Sequence, residues 1–241
     1  MIKLHQFELS GHCHKARVML RLLKLPHELV NVDGARLEHK SETHLAKNPF
    51  GQVPVLEDGD LLIRDSQAIL YYLAVRYGEG RWLPTSPALG AEVMAWLSVA
   101  SAEVSAGPGA LRLHHKFGRS IDVAQSERIT AELLTVLNKH LSSRPWLVGA
   151  QASIADVAVF PYIALAREGR VQLSAHPHMV RWLCRVREEL DPQGMPGMDD
   201  VATRTTFNGT ALLDDYREFE AASGGAGRCS SGSWSASHSS S

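Results

Sequence analysis

Apolar and polar positions along the chain first follow a strand-like rhythm and then a helical one. The run over 2–9 holds no Gly or Pro and predicts a strand. Ser10 and Gly11 interrupt it, after which Val18, Leu22 and Leu25 recur at helical spacing until Pro26 stops the helix. A second strand is predicted over 28–32. A polar loop rich in His, Lys and Glu follows, and Ser41 then caps a short helix that ends before Asn48-Pro49. Val53-Pro54-Val55-Leu56-Glu57 and Leu61-Leu62-Ile63 flank Asp58-Gly59, and two short apolar runs around Asp-Gly are the strongest local signal for a hairpin. Asp65 and Ser66 stand where an N-cap is wanted, ahead of a helix over 68–77 that Gly78 closes. The order β-α-β-α-β-β-α describes a small α/β layer with one hairpin rather than a regular alternation of strand and helix.

Residues 79–87 carry Gly80, Pro84 and Pro87 without periodicity and read as a linker. Beyond it the period is helical throughout, with helices predicted over 89–106, 122–141, 154–166 and 179–190; the first is broken by Gly107-Pro108-Gly109. No strand-like alternation returns. Ser153-Ile154-Ala155-Asp156 is a capping box, in which the hydroxyl and the carboxylate each satisfy an orphan helix donor, and its role is structural. One or two helical turns are predicted over 212–219. From about 223 the chain is nearly all Gly, Ser and Ala, a composition that cannot bury enough surface to fold. The pattern divides the chain into an α/β domain over 1–80, an all-α domain over 87–205 and a low-complexity tail over 223–241.

Composition narrows the function classes. With 241 residues, 44% hydrophobic and 21% charged, the chain can bury a core of ordinary size. Lys plus Arg number 25 against 26 Asp plus Glu, so the basic excess expected of a nucleic-acid binder is missing, as is any polybasic segment for an anionic membrane. The longest nearly apolar stretch, 157–166, is about half of what a membrane span requires. Cys13, Cys184 and Cys229 are odd in number and scattered, giving no disulfide framework. Met1 to Gln6 has neither the basic nor the apolar region of a secretory signal. The expectation is a cytoplasmic protein that binds neither nucleic acid nor membrane, for which Asn208-Gly209-Thr210 is a chance sequon.

The candidate chemistry sits at the junction of the first strand and first helix, Ser10-Gly11-His12-Cys13. Helix N–H groups and the positive end of the dipole point into such a junction and suit an anion or a thiolate. Lowering a thiol pKa from about 8.5 to about 6.5 requires about 2.7 kcal/mol. One hydrogen bond to the charged sulfur and one helix terminus together supply that much, with no metal. Ser10 has a plainer role open to it, as the cap of the helix. Cys13 offers a redox reading, but Ser occupies the partner position of a C-x-x-C pair, so only mixed disulfides are open to it. The clusters His12-Cys13-His14, His114-His115 and His176-Pro177-His178 lack metal-site spacing, and no metal is expected. Phosphate-binding Gly loops and the G-x-S-x-G elbow are missing too.

Two segments, Asn48-Pro49-Phe50-Gly51-Gln52-Val53-Pro54-Val55-Leu56-Glu57-Asp58-Gly59-Asp60 and Asp65-Ser66-Gln67-Ala68-Ile69-Leu70, resemble the glutathione-binding half of cytosolic glutathione S-transferases. Ser153-Ile154-Ala155-Asp156 resembles the box that opens the core helix of their helical half. The resemblance covers about 2–190. It implies a thioredoxin-like N-terminal domain, an all-α C-terminal domain, a homodimer, and glutathione as co-substrate. It also implies a cis Pro54 that exposes the backbone of Val53 to the cysteinyl part of the tripeptide, in the manner of strand addition. Asp65 and Ser66 match the pair that holds the γ-glutamyl end, and His39 and Lys40 match the loop that reaches the glycyl carboxylate.

At the catalytic position, the run Lys15-Ala16-Arg17-Val18 aligns Ser10 with the thiolate-activating serine of bacterial-type, Ser-type enzymes such as theta and zeta. Gly11-His12 departs from the zeta signature, and a one-residue shift would put Cys13 in the working position. The second-substrate pocket is expected against the helix after the linker, lined by Trp96, Glu103 and Arg112. The function implied is a glutathione transferase acting on an electrophilic apolar substrate. The alternatives are a thiol transferase or peroxidase using Cys13, and a non-catalytic binding module of the same fold.

Overall fold

The computed structural model of the chain describes residues 1–198 together with 206–207 and 210–211. The helix predicted over 212–219 and the tail from 223 lie outside the described residues. The first half is the expected βαβαββα layer: β1 Ile2–Gln6, α1 Gly11–Leu22, β2 His27–Asn31, α2 Glu42–Lys47, β3 Val55–Asp58, β4 Leu61–Arg64 and α3 Ser66–Tyr77. Its sheet runs β2-β1-β3-β4, with β1 parallel to β2 and antiparallel to β3, so Leu4 pairs with both Leu29 and Leu56. The predicted hairpin is β3–β4, Asp58 opposite Leu61. Strand β1 stops at Gln6 rather than Leu9, because the chain has to turn before α1; Ser10 N–H donates to Phe7 C=O at 3.2 Å across that turn.

The second half is built from α4 Pro87–Ser101, α5 Ala110–Phe117, α6 Val123–His140, α7 Ile154–Ala164 and α8 Pro177–Glu189. Every residue of α7 is buried, as expected of a helix that is apolar on all sides, and it packs against α1, α3, α4 and α8. Each large apolar side chain buried there contributes about 1.5–3 kcal/mol, so Phe160→Ala would cost about 3–5 kcal/mol. Asp156 holds the start of α7 from within. Its carboxylate accepts from Leu147 N–H, Ser153 N–H and Trp182 Nε1–H at 2.9–3.0 Å, completing the predicted capping box.

Two expectations need correction. Helix α4 ends at Ser101, and 110–117, which lie outside every predicted helix, form α5. Gly107-Pro108-Gly109 kinks the path within a π-turn, Ser105–Gly109, without ending it. The kink lets the backbone press on α6; a Cβ on Gly107 would lie 2.9 Å from Thr130 Oγ1. Strand pairing also returns after 87. Thr206–Phe207 (β5) pairs antiparallel with Thr210–Ala211 (β6). Among the described residues no helix is long and apolar enough to cross a membrane.

The two halves are tied together under α1. His14 Nε2 meets Asp191 Oδ2 at 2.6 Å with both side chains fully buried, and Arg21 donates to the same carboxylate at 2.5 Å. The segment after α8 is thereby anchored to the first helix, beneath the junction that carries Ser10.

Candidate active site

Two helix N-termini converge at one place. Ser10, in extended conformation, caps α1 by accepting from Cys13 N–H at 3.3 Å. Asp65 caps α3, accepting from Gln67 N–H at 2.8 Å and Ala68 N–H at 3.1 Å, and does so at φ 75°. That left-handed region costs a non-glycine residue about 1–3 kcal/mol and is kept where function or surroundings demand it. The two termini are bridged by His12, whose Nδ1 lies 3.4 Å from Ser66 Oγ and 3.4 Å from Lys15 Nζ. Behind them the Ser66 hydroxyl donates to Gln67 Oε1 at 2.6 Å, and the Gln67 amide reaches Ser101 of α4 at 2.5 Å.

The electrostatics follow from burial. Burial and then Lys15 push the His12 imidazolium down to about 3, so the ring is neutral near pH 7. Lys15 is fully buried, with its ammonium pushed down to about 7 by burial against the favourable charge of Asp65. Its two hydrogen-bond contacts, to His12 Nδ1 and Gln67 Oε1, are both long at 3.4 Å.

The remaining expected residues lie on the connection between β2 and β3. The Val53–Pro54 bond is cis, and β3 begins only at Val55, so Val53 lies outside the ladder. Lys40, in a short turn Glu38–Lys40, donates to Phe50 C=O at 3.0 Å. His39 packs edge-on to Phe7, its ring centroid 5.4 Å away, and its Nδ1 is buried without a hydrogen-bond partner. An unsatisfied buried nitrogen of this kind suits a group that arrives with a ligand.

A sequence model of the glutathione S-transferase N-terminal domain matches residues 4–81, and one of the C-terminal domain matches residues 101–189. Glutathione S-transferase 3 of Zea mays is 33% identical over 192 residues, which cover 75% of this chain and 86% of that protein. The chain belongs to the glutathione S-transferase family. Glutathione S-transferase GstB of Escherichia coli is 28% identical over 186 residues, 74% of this chain and 89% of that one. Among solved structures, a glutathione S-transferase from Xanthobacter autotrophicus is similar with a TM-score of 0.76 at 29% identity, covering 83% of this chain and all of that one. Another, from Pseudomonas fluorescens, has a TM-score of 0.74 at 32% identity, with 82% and 99% covered. The fold is that of the family: a thioredoxin-like α/β half followed by a helical half.

The other candidates fall in different places. Cys13 is wholly buried in the first turn of α1, where burial pushes its thiol up despite the Ser10 and Phe7 contacts and the Arg17 charge. Arg112 is 2% exposed and committed, donating from Nε to Glu168 at 2.5 Å and from Nη1 to Leu9 C=O at 2.8 Å. Trp96 stacks edge-on against His140 of α6 at 4.9 Å, and Glu103 is exposed. One residue of the site was not foreseen. Tyr162 of α7 reaches back to the Ser10 loop, its ring 4.9 Å from that of His12. Its signal in the sequence is that it carries the only hydroxyl within α7.

Proposed function

We propose that the protein is a Ser-type glutathione transferase: it binds glutathione, holds its sulfur as a thiolate, and directs it at an electrophilic carbon of an apolar second substrate. The observation that carries this reading is the convergence of the α1 and α3 N-termini, bridged by His12 and Ser66, with Ser10 at the rim of one and Asp65 at the rim of the other. In this reading the Ser10 hydroxyl donates to the sulfur and the α1 dipole adds its field, together enough to bring the thiol into its anionic form near neutral pH. Asp65 faces the γ-glutamyl ammonium, while Ser66 and the α3 terminus receive its carboxylate. Val53 pairs with the cysteinyl backbone, and His39 with Lys40 takes the glycyl end. The nucleophile is the bound peptide, so the chain supplies position and electrostatic stabilisation rather than a covalent group. Arg112, being buried, acts at one remove by holding Leu9 C=O next to Ser10, and of the three residues expected against the helix after the linker Trp96 and Glu103 are left for the wall facing the second substrate.

Burial of Cys13 argues for the serine over the cysteine. A homodimer is proposed with this function. It is supported by the exposed apolar side chains Tyr71 and Met94, which line a groove of about 500 Å³ between α3 and α4, and by the exposure of Leu61, Leu62 and Val75. A sedimentation mass near 26.4 kDa at micromolar concentration would remove the dimer.

The test of function is retention on immobilised glutathione together with thiol consumption in the presence of an electrophilic aryl halide. Cys13→Ala should leave both within about twofold, since it keeps the backbone N–H that Ser10 caps. A wild-type protein that neither binds nor consumes glutathione overturns the reading, and a Cys13→Ala variant that loses all activity overturns the assignment to Ser10.

A further inference from the structure

Lys15 is fully buried on α1, and holding a thiolate at Ser10 makes no use of it. Its Nζ lies 3.4 Å from His12 Nδ1 and donates to Gln67 Oε1 at 3.4 Å. Ser66 closes the figure, with Oγ 3.4 Å from His12 Nδ1 and its hydroxyl donating to Gln67 Oε1 at 2.6 Å. The four polar atoms form a ring behind the N-terminus of α3. The titratable groups that face Lys15 are His12 on its own helix, Asp65 at the α3 cap and Tyr162 of α7, whose ring centroid is 5.9 Å from Nζ. Among the described residues its hydrogen-bond partners are the neutral His12 and Gln67, and the Asp65 carboxylate favours its charge through space.

A serine hydroxyl has one proton to give, and that of Ser66 goes to Gln67 Oε1. To meet a carboxylate the hydroxyl has to turn away, which leaves Gln67 Oε1 to the Lys15 ammonium that already reaches it. An ammonium buried among neutral partners also lacks the close anion that would offset its desolvation. We propose that Lys15 determines the specificity of this subsite for an anion: its ammonium, one layer behind Ser66, is the countercharge for the γ-glutamyl carboxylate and takes over Gln67 Oε1 as the serine turns to that carboxylate. The inference rests on the glutathione reading above and adds a positioning residue that acts through Ser66 rather than by touching the peptide. Proton uptake follows from it. Burial holds Lys15 down to about 7, so near neutral pH much of it is the free amine. A carboxylate arriving beside Ser66 favours the ammonium, so Nζ takes a proton from solvent as the peptide binds. By the same linkage, affinity falls as pH rises and the amine loses its charge.

The test is calorimetric binding of S-methylglutathione, which has no thiol to ionise, in buffers of different ionisation enthalpy, for wild type and Lys15→Met. Methionine keeps the length and apolar body of the side chain and removes its charge. At pH 8 wild type should take up about 0.4 proton more than the variant, the amount expected if the carboxylate raises the Lys15 pKa by about one pH unit. Between pH 6.5 and pH 8.5 wild-type affinity should fall about sixfold more than that of the variant, and at pH 6.5 the variant should bind about tenfold more weakly. The S-methylated γ-aminobutyryl analogue, which lacks only that carboxylate, should bind both proteins equally within about twofold. Equal proton uptake by the two proteins overturns the inference. So does an equal loss on Lys15→Met for both peptides, which is what a merely structural lysine would give. Binding by wild type with no proton uptake overturns it without any variant and leaves the glutathione reading standing. A wild-type protein that does not bind S-methylglutathione removes that reading, and this inference with it.

Discussion

The molecule contains two kinds of Ser/Asp-capped helix mouth, and they do opposite things with the same residue types. At the mouth of α7 every group looks inward. Both Asp156 oxygens are taken, Oδ1 by Leu147 N–H and Trp182 Nε1–H and Oδ2 by Ser153 N–H, and both Asp156 and Ser153 are buried. At the mouths of α1 and α3 the caps are made with groups to spare. Asp65 is exposed and held at φ 75°, Ser10 is half-buried, and the contact between His12 and Ser66 is long at 3.4 Å. A cap whose donors and acceptors are all consumed within the protein is architecture. One that leaves a hydroxyl and a carboxylate with unused capacity, at a cost in backbone strain, has groups free to meet something that arrives from outside.

The largest effect that would sharpen this contrast is at the inward mouth. Asp156→Ala leaves three N–H donors buried and unmatched and should lower unfolding stability by about 3 kcal/mol or more. The folded fraction should keep the wild-type KM for glutathione, measured beside urea unfolding; a changed KM in a stable protein would break the distinction. Next in size is Asp65→Gly. Glycine adopts the positive φ freely, so the lost cap and the relieved strain should nearly cancel in stability, within about 1 kcal/mol. The KM for glutathione should nonetheless rise about tenfold, the amount one hydrogen bond to a charged group supplies. A large stability loss with unchanged KM would make Asp65 the same kind of residue as Asp156.

The smallest effect is on pH. Burial lowers His12 and His14 below their usual range, the Asp191 contact only partly offsetting it for His14. A histidine whose folded pKa is depressed contributes stability that is complete above its unfolded pKa of about 6.5 and is lost as pH falls below it. Asp156, raised by burial, works in the opposite direction and blunts the trend at lower pH. The unfolding temperature should therefore drop between pH 7 and pH 5, and His12→Gln should flatten part of that drop; a profile that rises toward acid contradicts the assignment.

Much of this was legible in the sequence, for local reasons. The strand–turn–helix at Ser10, the Asp58-Gly59 hairpin, the α3 cap and the α7 box are written within a few residues each, and the structure has them where the pattern puts them. What escaped was set by distant packing. Helix α5 follows a Gly-Pro-Gly that reads as a break, and it continues because Gly107 presses on α6 and Arg112 finds Glu168 and Leu9 C=O. Tyr162 lies more than 150 positions from Ser10 in the chain, and nothing local shows that α7 delivers it to Gly11. Arg112 was picked out for the second-substrate wall, but its burial and its bond to Leu9 C=O could be seen only in three dimensions.

The central claim is that the Ser10 hydroxyl holds the glutathione sulfur as an anion. Its most direct test is the titration of thiolate absorbance in the bound peptide, for wild type and for Ser10→Ala. The bound pKa should lie at least about one pH unit below that of the free peptide in wild type and return most of the way to the free value in the variant. Titration at the free value in wild type, or the same depressed value in both proteins, would contradict it.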